Sequence, residues 1–339
     1  MNKRLVALMA LGLSGTLLLS ACGEGSGLAD DPDEDGGGGT ADDCTPGAEP
    51  PEVEEADIPL VDVPEGGEDE TEVNFALIPW EEAIATTHMW KVILEEKDYD
   101  VSITDLDVAP MYQGAANGDL DLFMDTWLPQ THGDYWDDYG DQLENLSVWY
   151  DNAILTLTVP EYMEDINTIP DLREHADELN NQIVGIESGA GLTRTTQDHA
   201  IPGYCLDEAG LELLESSTGA MLAELDSAYQ DEEPIVVTLW RPHIAYAQYD
   251  LKDLEDPEGM MGGAETIHAV GREGFAEDYP NFASWLAAFE LNDAELEDLE
   301  SLTVDEHADD PDEGARIWLS ENPEFLERTM GEDAEGLDF

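Results

Sequence analysis

Basic residues are scarce in this sequence. Its 339 residues include 11 Lys and Arg against 82 Asp and Glu, which gives a formal net charge of −71. A surface this anionic repels nucleic acid and anionic lipid, so we expect no nucleic-acid partner and no direct adsorption to a membrane surface. Because self-repulsion is screened by salt, the composition is typical of an extracellular protein from a salty habitat.

Patterns that indicate catalysis, metal binding or phosphate binding are also lacking. The 7 His are scattered along the chain, and none stands in a His-x-x-x-His or clustered Cys/His spacing. The sequence contains no Gly-x-Gly-x-x-Gly, no phosphate-binding loop and no nucleophile elbow. We therefore expect that the protein is not an enzyme and that it has neither a metal nor another cofactor.

The first 22 residues have the features of an export signal. Lys3 and Arg4 precede an apolar run over residues 5–19, which is too short to span a membrane comfortably. The ending Leu-Ser-Ala-Cys22 resembles the bacterial lipobox, in which this cysteine is lipidated; the alternative is an ordinary signal peptide with an incidental cysteine. We expect a lipoprotein signal peptide over residues 1–22, so the membrane is contacted through a lipid anchor alone.

Residues 23–70 are rich in Gly, Pro, Asp and Glu and contain no Lys or Arg. Such a segment buries too little apolar surface to offset its ordering entropy, so we expect a disordered acidic tether. With Cys22 assigned to lipid, two cysteines remain, Cys44 and Cys205. An oxidising compartment allows one disulfide between them, and two free thiols are the alternative.

Short apolar runs alternate with amphipathic stretches after the tether. The pattern predicts strands at residues 73–78 and 234–239 and a helix at residues 82–96. A largely helical segment is predicted at residues 206–225. Strands alternating with helices indicate an α/β fold with parallel sheets.

Two sets of such elements predict two lobes arranged as a clamshell. Apolar crossover runs at residues 153–159 and 266–270 would form a two-strand hinge between them. The first lobe then consists of residues 71–157 and 265–339, and the second of residues 158–264.

Position along the chain separates the 8 Trp residues. Trp80, Trp127 and Trp240 each close an apolar strand and stand next to, or two residues from, a proline. In open α/β sheets ligands bind beyond the carboxyl ends of the strands, so three repeats of this context favour a binding site. By contrast, three tryptophans lie within helical patterns and are predicted to pack in the core: Trp90, Trp285 and Trp318.

Several indole faces in one pocket suit a methylated cation. The quadrupole of an aromatic ring attracts a cation without a hydrogen bond from it, which is why quaternary ammonium groups are held in aromatic cages. A glycine turn at residues 189–191 follows one predicted strand and precedes a helix. Backbone amides in this position attract an anion.

Three segments together resemble the glycine-betaine-type substrate-binding proteins of ABC importers. They are Trp127-Leu-Pro-Gln-Thr-His132, Gly185-Ile-Glu-Ser-Gly-Ala-Gly-Leu192 and Glu233-Pro-Ile-Val-Val-Thr-Leu-Trp-Arg-Pro-His243. The likeness runs over residues 73–291. It implies a two-lobed type II periplasmic-binding-protein fold.

The resemblance also implies the site and its partners. Trp80, Trp127 and Trp240 would surround the trimethylammonium group, and His132 would hold the ligand carboxylate with backbone N–H groups near Gly191 and Leu192. The partners would be glycine betaine and the permease and ATPase subunits of an importer. A monomer anchored at the outer face of the cell membrane is the expected form.

Other ligands stay open at this point. Proline betaine, choline and carnitine share the quaternary ammonium group, and the sequence does not fix the size of the pocket. A polyamine site would need acidic groups to accept N–H bonds, and a metal site would need clustered ligands. The aromatic residues favour a betaine over a polyamine or a metal ion.

Overall fold

Strands and helices alternate along the chain in the computed structural model, which describes residues 46–51, 58–67 and 70–339. The predicted signal peptide with Cys22 lies outside the described residues, and so does Cys44. The described part contains both the strand at the start of the predicted first lobe and the helices at the C-terminus. The α/β class predicted from the alternating pattern is confirmed.

The strands of the described residues are numbered in chain order. They are β1 Glu72–Leu77, β2 Asp100–Asp105, β3 Leu122–Leu128, β4 Leu143–Pro160, β5 Gln182–Val184, β6 Glu212–Leu214, β7 Val237–Arg241, β8 Leu251–Asp253 and β9 Glu265–Arg272.

The α-helices of the same residues follow in the same way. They are α1 Glu81–Glu96, α2 Val108–Ala116, α3 Gly133–Tyr139, α4 Gly191–Thr195, α5 Ile201–Gly203, α6 Thr218–Asp231, α7 Ala245–Gln248, α8 Phe275–Asp278, α9 Pro280–Ala287, α10 Asp293–Glu300, α11 Pro311–Glu321 and α12 Pro323–Met330.

The strands form a mixed sheet in the order β2-β1-β3-β9-β4-β7-β5-β6, with β8 paired to β4. At one end β1 pairs in parallel with β2 and β3, and at the other β5 pairs in parallel with β6 and β7. Antiparallel pairs connect these two groups through β9 and β4. Each parallel group supplies strand ends at which a ligand site can form.

One long strand, β4, connects the two parallel groups. The first part of β4 pairs with β9, from Leu143 to Ala153, and its last part pairs with β7 and β8, from Ile154 to Pro160. The predicted crossover run at residues 153–159 is therefore part of an 18-residue strand. The two lobes and the hinge remain predictions.

Apolar side chains at the predicted helical spacing are buried on α1, which packs between the sheet strands β1 and β3 and the helices α10 and α11. Ala85, Met89, Val92 and Ile93 are all 0% exposed. All seven residues of β3 are buried, as expected for a strand covered on both faces. The core prediction for three tryptophans is confirmed, since Trp90, Trp285 and Trp318 are buried.

The helix predicted at residues 206–225 is wrong over much of its length. A turn ends at Gly210, which has a φ of 91°, and β6 follows before α6 begins at Thr218. A positive φ favours glycine and interrupts a helix. The Ser217 side chain accepts a hydrogen bond from the Ala220 N–H at 3.2 Å and so caps the later start.

Parts of the predicted tether contact the folded body. The Gly47 N–H donates to the Pro202 carbonyl at 2.8 Å, and the Val61 N–H donates to the Asn145 carbonyl at 2.8 Å. Cys205 is buried and disulfide-bonded. Its predicted partner Cys44 lies outside the described residues, so that pairing stays a prediction.

Candidate functional site

The three tryptophans singled out in the sequence lie at or just beyond strand ends. Trp80 follows β1 and immediately precedes α1, whereas Trp127 and Trp240 are the last residue but one of β3 and β7. Their exposed fractions are only 5%, 3% and 3%. Strand ends of both parallel groups therefore supply large buried aromatic surfaces.

All three indoles line the same cavity. The rings of Trp80 and Trp240 have centroids 6.2 Å apart and are tilted by 59°. Apolar residues complete the wall, with Leu155 from β4 and Ile186 from the segment after β5. The structure thus brings together residues that are separated by up to 160 positions in the sequence.

The cavity is contracted. Its volume is about 20 Å³. A cavity of roughly 10–15 Å³ admits one water molecule. A trimethylammonium group is much larger than water, so the walls must separate before such a group can enter.

Buried acidic side chains accept hydrogen bonds from two of the indoles. The Trp127 Nε1–H donates to Asp125 Oδ1 at 2.8 Å, and the Trp240 Nε1–H donates to Glu82 Oε2 at 3.0 Å. These bonds fix the orientation of the two rings. Sequence reasoning missed both acids, although each stands two residues from a predicted cage tryptophan.

The pKa values of both acids are raised. Burial is the main cause at Asp125, whose pKa rises to about 7, while the hydrogen bond from Trp127 acts in the opposite direction. Burial also raises the pKa of Glu82 well above its ordinary value, and the charge of Asp125 adds to the effect. Removing a carboxylate from water disfavours its charged form, and a second carboxylate nearby disfavours it further.

His132 is buried against the indole of Trp80. Its ring is stacked on that of Trp80, with centroids 5.8 Å apart and planes inclined by 4°. Its Nδ1 accepts the Trp127 N–H at 2.9 Å, so the neutral ring carries its proton on Nε2. Nε2 has no hydrogen-bond partner among the described residues.

Burial lowers the pKa of His132 to about 3, and the positive charge of Arg194 acts in the same direction. The imidazole is therefore neutral at ordinary pH, yet it still has one N–H to donate. The residues that line the cavity include its neighbour Thr131 rather than His132 itself.

The predicted glycine turn forms the opposite wall. Gly191 and Leu192 begin α4 and line the cavity. A Cβ atom added to Gly191 would lie 2.2 Å from the Thr131 carbonyl oxygen, which no real contact allows. Only glycine fits this close approach of two backbones.

The Thr131 segment is itself held in place by hydrogen bonds. Glu265 Oε1 accepts the backbone N–H groups of Gln130 and Thr131 at 2.7 and 2.8 Å. From the other side, Arg194 Nη2 donates to the Thr131 carbonyl at 3.0 Å. The wall where Gly191 meets Thr131 is therefore fixed from two directions.

Two further properties concern the described residues as a whole. Within them, no group of three or more His, Cys, Asp or Glu side chains is arranged to hold a metal ion. No helix in this part of the chain is long and apolar enough to cross a membrane.

Comparisons with known proteins place the chain in a family. The family model described as the substrate binding domain of ABC-type glycine betaine transport system matches residues 71–321. The chain is 38% identical over 152 residues to the glycine betaine/carnitine transport binding protein GbuC of Listeria monocytogenes. That match covers 45% of this chain and 50% of GbuC, so the chain aligns with about half the length of this curated relative.

Two solved structures are similar in fold. Lactococcal OpuAC, in its closed conformation with glycine betaine, is 30% identical, with a TM-score of 0.70 and coverage of 77% of this chain and 100% of the other. A choline binding protein of an ABC transporter, in complex with choline, is 27% identical, with a TM-score of 0.69 and coverage of 78% and 94%.

The predicted type II periplasmic-binding fold is confirmed by these likenesses. The family model covers most of the chain, including all three cavity tryptophans. This protein belongs to the family of substrate-binding domains of ABC-type glycine betaine transport systems.

Proposed function

We propose that the cavity binds the trimethylammonium group of glycine betaine between the indole faces of Trp80, Trp127 and Trp240. The observation that carries this proposal is the convergence of three buried indoles on one cavity. A fully methylated nitrogen has no N–H to offer, and the negative ring faces attract it without hydrogen bonds. The apolar lining also lowers the cost of enclosing the methyl groups.

The carboxylate of the ligand would be held at the other end of the site. His132 supports this role because its Nε2–H is buried without a partner among the described residues, and a carboxylate would satisfy it. The backbone N–H groups near Gly191 and Leu192 are the other donors we assign to it. A ligand bound in this way spans from the indole faces to the Thr131–Gly191 wall.

Binding then requires the two walls to open and close. Trp80 and Trp127 lie in the predicted first lobe, while Trp240 and Gly191 lie in the predicted second lobe. The contracted cavity and the close approach at Gly191 support a closed arrangement of the two walls. Rotation about the segments that connect the lobes would expose the indoles to an entering ligand.

The proposed cellular role follows from the family. We assign the protein to the outer face of the cell membrane, held there by lipid on Cys22, where it would deliver its ligand to the permease and ATPase subunits of an ABC importer. Uptake of a compatible solute would protect the cell against osmotic stress. The protein would act as a monomer.

A second candidate ligand is choline. A choline-binding structure is similar to this chain over most of its length. In addition, the acidic residue Glu82 lines the cavity, which favours a ligand with net positive charge. Carnitine is a third candidate, since the curated relative GbuC is named for it.

Calorimetric titration at high salt tests this assignment. The ligands are glycine betaine, proline betaine, carnitine, choline and spermidine. We expect saturable binding of glycine betaine and a higher melting temperature in its presence, because a ligand that binds only the folded state stabilises it. Spermidine, which has N–H groups throughout, should not bind. Binding of spermidine alone would contradict the proposed function.

A further inference from the structure

Four carboxyl side chains lie together beside the proposed cation cage, and one of them, Glu82, lines its cavity. Glu81 and Glu82 begin α1, Asp125 lies in β3, and Glu300 ends α10. Glu82, Asp125 and Glu300 are only 0%, 2% and 1% exposed, and Glu81 is 9% exposed. A buried acidic cluster at this place is costly unless its charges are paired or protonated.

Hydrogen bonding leaves several of these oxygens unsatisfied. Glu82 and Asp125 each use one oxygen to accept an indole N–H, from Trp240 and Trp127 respectively. Their other oxygens, Glu82 Oε1 and Asp125 Oδ2, are buried without a partner among the described residues. The same is true of Glu300 Oε1.

The cavity offers a place for the missing partner. Glu82 lines the cavity together with the three indoles. The residue that carries the buried, unpartnered Oε1 thus borders the place where the proposed function puts a positive charge. A quaternary ammonium group cannot donate a hydrogen bond, but its charge attracts a carboxylate that is poorly solvated.

The charged groups that face Glu82 come from three elements. Asp125 of β3, Glu300 of α10 and Glu81 of α1 all raise its pKa, after burial, which is the largest cause. A basic side chain faces the cluster through Glu81: the His243 Nε2 lies 3.2 Å from Glu81 Oε2 without the geometry of a hydrogen bond. The His243 Nδ1 accepts the Ala245 N–H at 3.0 Å, which leaves Nε2 as the ring nitrogen that faces Glu81.

We infer that Glu82, which lines the cage, and Asp125, which holds the Trp127 indole, form a proton-exchanging pair of acids that releases a proton to solvent when a quaternary ammonium group binds. This inference rests on the proposed function and deepens it. The two acids interact, so they titrate as a pair and hold at least one proton when the cavity is contracted. A positive charge in the cage favours the ionised form of the pair, and the displaced proton leaves for the solvent buffer.

The sign of the pH dependence follows from this exchange. A group that loses a proton on binding makes the ligand bind more tightly as pH rises, up to the pKa that the group has in the free protein. Below that pKa, affinity for a cationic group should fall by about tenfold for each pH unit when one full proton is released. A ligand of the same shape without the positive charge should show no such dependence.

Calorimetry in buffers of different ionisation enthalpy measures the released protons directly. The ligands are glycine betaine and tert-butylacetate, its isostere with carbon in place of the charged nitrogen. For glycine betaine near pH 7, we expect the observed enthalpy to vary linearly with the ionisation enthalpy of the buffer, with a slope that corresponds to release of a substantial fraction of one proton. For tert-butylacetate we expect weaker binding and no slope.

The variant Glu82→Gln keeps an acceptor for the Trp240 N–H and removes the ionisable group. Its slope for glycine betaine should fall to less than half of the wild-type value, and Asp125→Asn should act in the same direction. The matched control is Glu224→Gln, the same change at an exposed position of α6, which should leave the slope unchanged.

The outcomes separate this inference from the proposed function. Binding of glycine betaine with an enthalpy that is independent of the buffer would overturn the proton exchange and leave the proposed function intact. A slope that survives in both Glu82→Gln and Asp125→Asn would assign the proton to another group and overturn the role of this pair. A folded wild-type protein that binds no quaternary ammonium ligand would overturn both.

Discussion

Replacing Trp240 by alanine removes one wall of the proposed cage. The indole is 3% exposed and lies 6.2 Å from the ring of Trp80, centroid to centroid. A desolvated cation–π contact is worth about 2 kcal/mol or more, and about 1.4 kcal/mol corresponds to a tenfold change in affinity. Glycine betaine should therefore bind roughly 30-fold more weakly, or worse, to the Trp240→Ala protein.

The same change should also destabilise the fold. Deleting a buried tryptophan side chain costs about 3–5 kcal/mol of unfolding free energy. In addition, Glu82 Oε2 loses its hydrogen-bond donor, and an unsatisfied buried group costs about 1–3 kcal/mol. The raised pKa of Glu82 moderates that second cost, because a protonated carboxyl group is less expensive to bury than a carboxylate.

A matched control distinguishes loss of the cage from loss of stability. Trp285 is 5% exposed, and its Nε1–H donates to Asp333 Oδ2 at 3.0 Å, but it does not line the cavity. Trp285→Ala should thus lower the melting temperature while leaving the dissociation constant for glycine betaine within about twofold of wild type, a free-energy change below 1 kcal/mol. Titration calorimetry below both melting temperatures gives the comparison, and equal affinities in the two variants would refute the cation–π reasoning.

Three further substitutions test other parts of the account. Gly191→Ala puts a methyl group 2.2 Å from a backbone carbonyl oxygen, so closure of the cavity should be impaired. The affinity for glycine betaine should fall by at least about tenfold, or roughly 1.4 kcal/mol. Unchanged affinity by calorimetry would show that this contact is not needed. His132→Ala removes a donor that we assign to the ligand carboxylate, so affinity should fall about tenfold further for glycine betaine than for choline, as expected for a hydrogen bond to a charged group worth roughly 1.5 kcal/mol or more. The loss that comes from the stack on Trp80 and the bond to the Trp127 N–H is common to both ligands. Equal losses for the two ligands would contradict that role. Asp312→Asn should lower the melting temperature at pH 7, because hydrogen bonds from His88 and Lys91 hold the pKa of Asp312 at about 2 despite the opposing effect of burial. This stabilisation is present above the ordinary carboxyl pKa and is lost as pH falls towards 2, so the two melting curves should converge in acid; a difference that persists there would argue against the ion pairs.

The convergence of three tryptophans on one cavity could be predicted because their local context repeats. Trp80, Trp127 and Trp240 each follow an apolar run and stand near a proline, and strand ends of an α/β sheet meet at the ligand site. The same reasoning separated them from Trp285, whose helical neighbours predicted a core position. Pattern and topology together thus predicted the wall of the cavity.

The acids beside the cage could not be predicted in this way. The chain contains 82 Asp and Glu, and such residues are expected at the surface unless they are paired. Nothing in the sequence marks Glu82 or Asp125 as buried, because their burial depends on the packing of α1 against β3. The one sequence signal for these acids is their spacing, since each stands two residues from a tryptophan that lines the cavity.

The helix predicted at residues 206–225 is interrupted for a local and a tertiary reason. Residues 206–225 are apolar and acidic at helical spacing, but Gly210 ends the first turn and Ser217 caps a later helix. Between them β6 joins the edge of the sheet beside β5. Tertiary pairing of a short strand outweighed the helical propensity of its residues.

A crystal structure of the complex with glycine betaine tests the central claim most directly. The account predicts that the trimethylammonium nitrogen lies within about 6 Å of the ring centroids of Trp80, Trp127 and Trp240, the range of a cation–π contact. The carboxylate should accept hydrogen bonds from His132 Nε2 and from the backbone near Gly191. A ligand bound elsewhere, or one with its carboxylate between the indoles, would contradict the account.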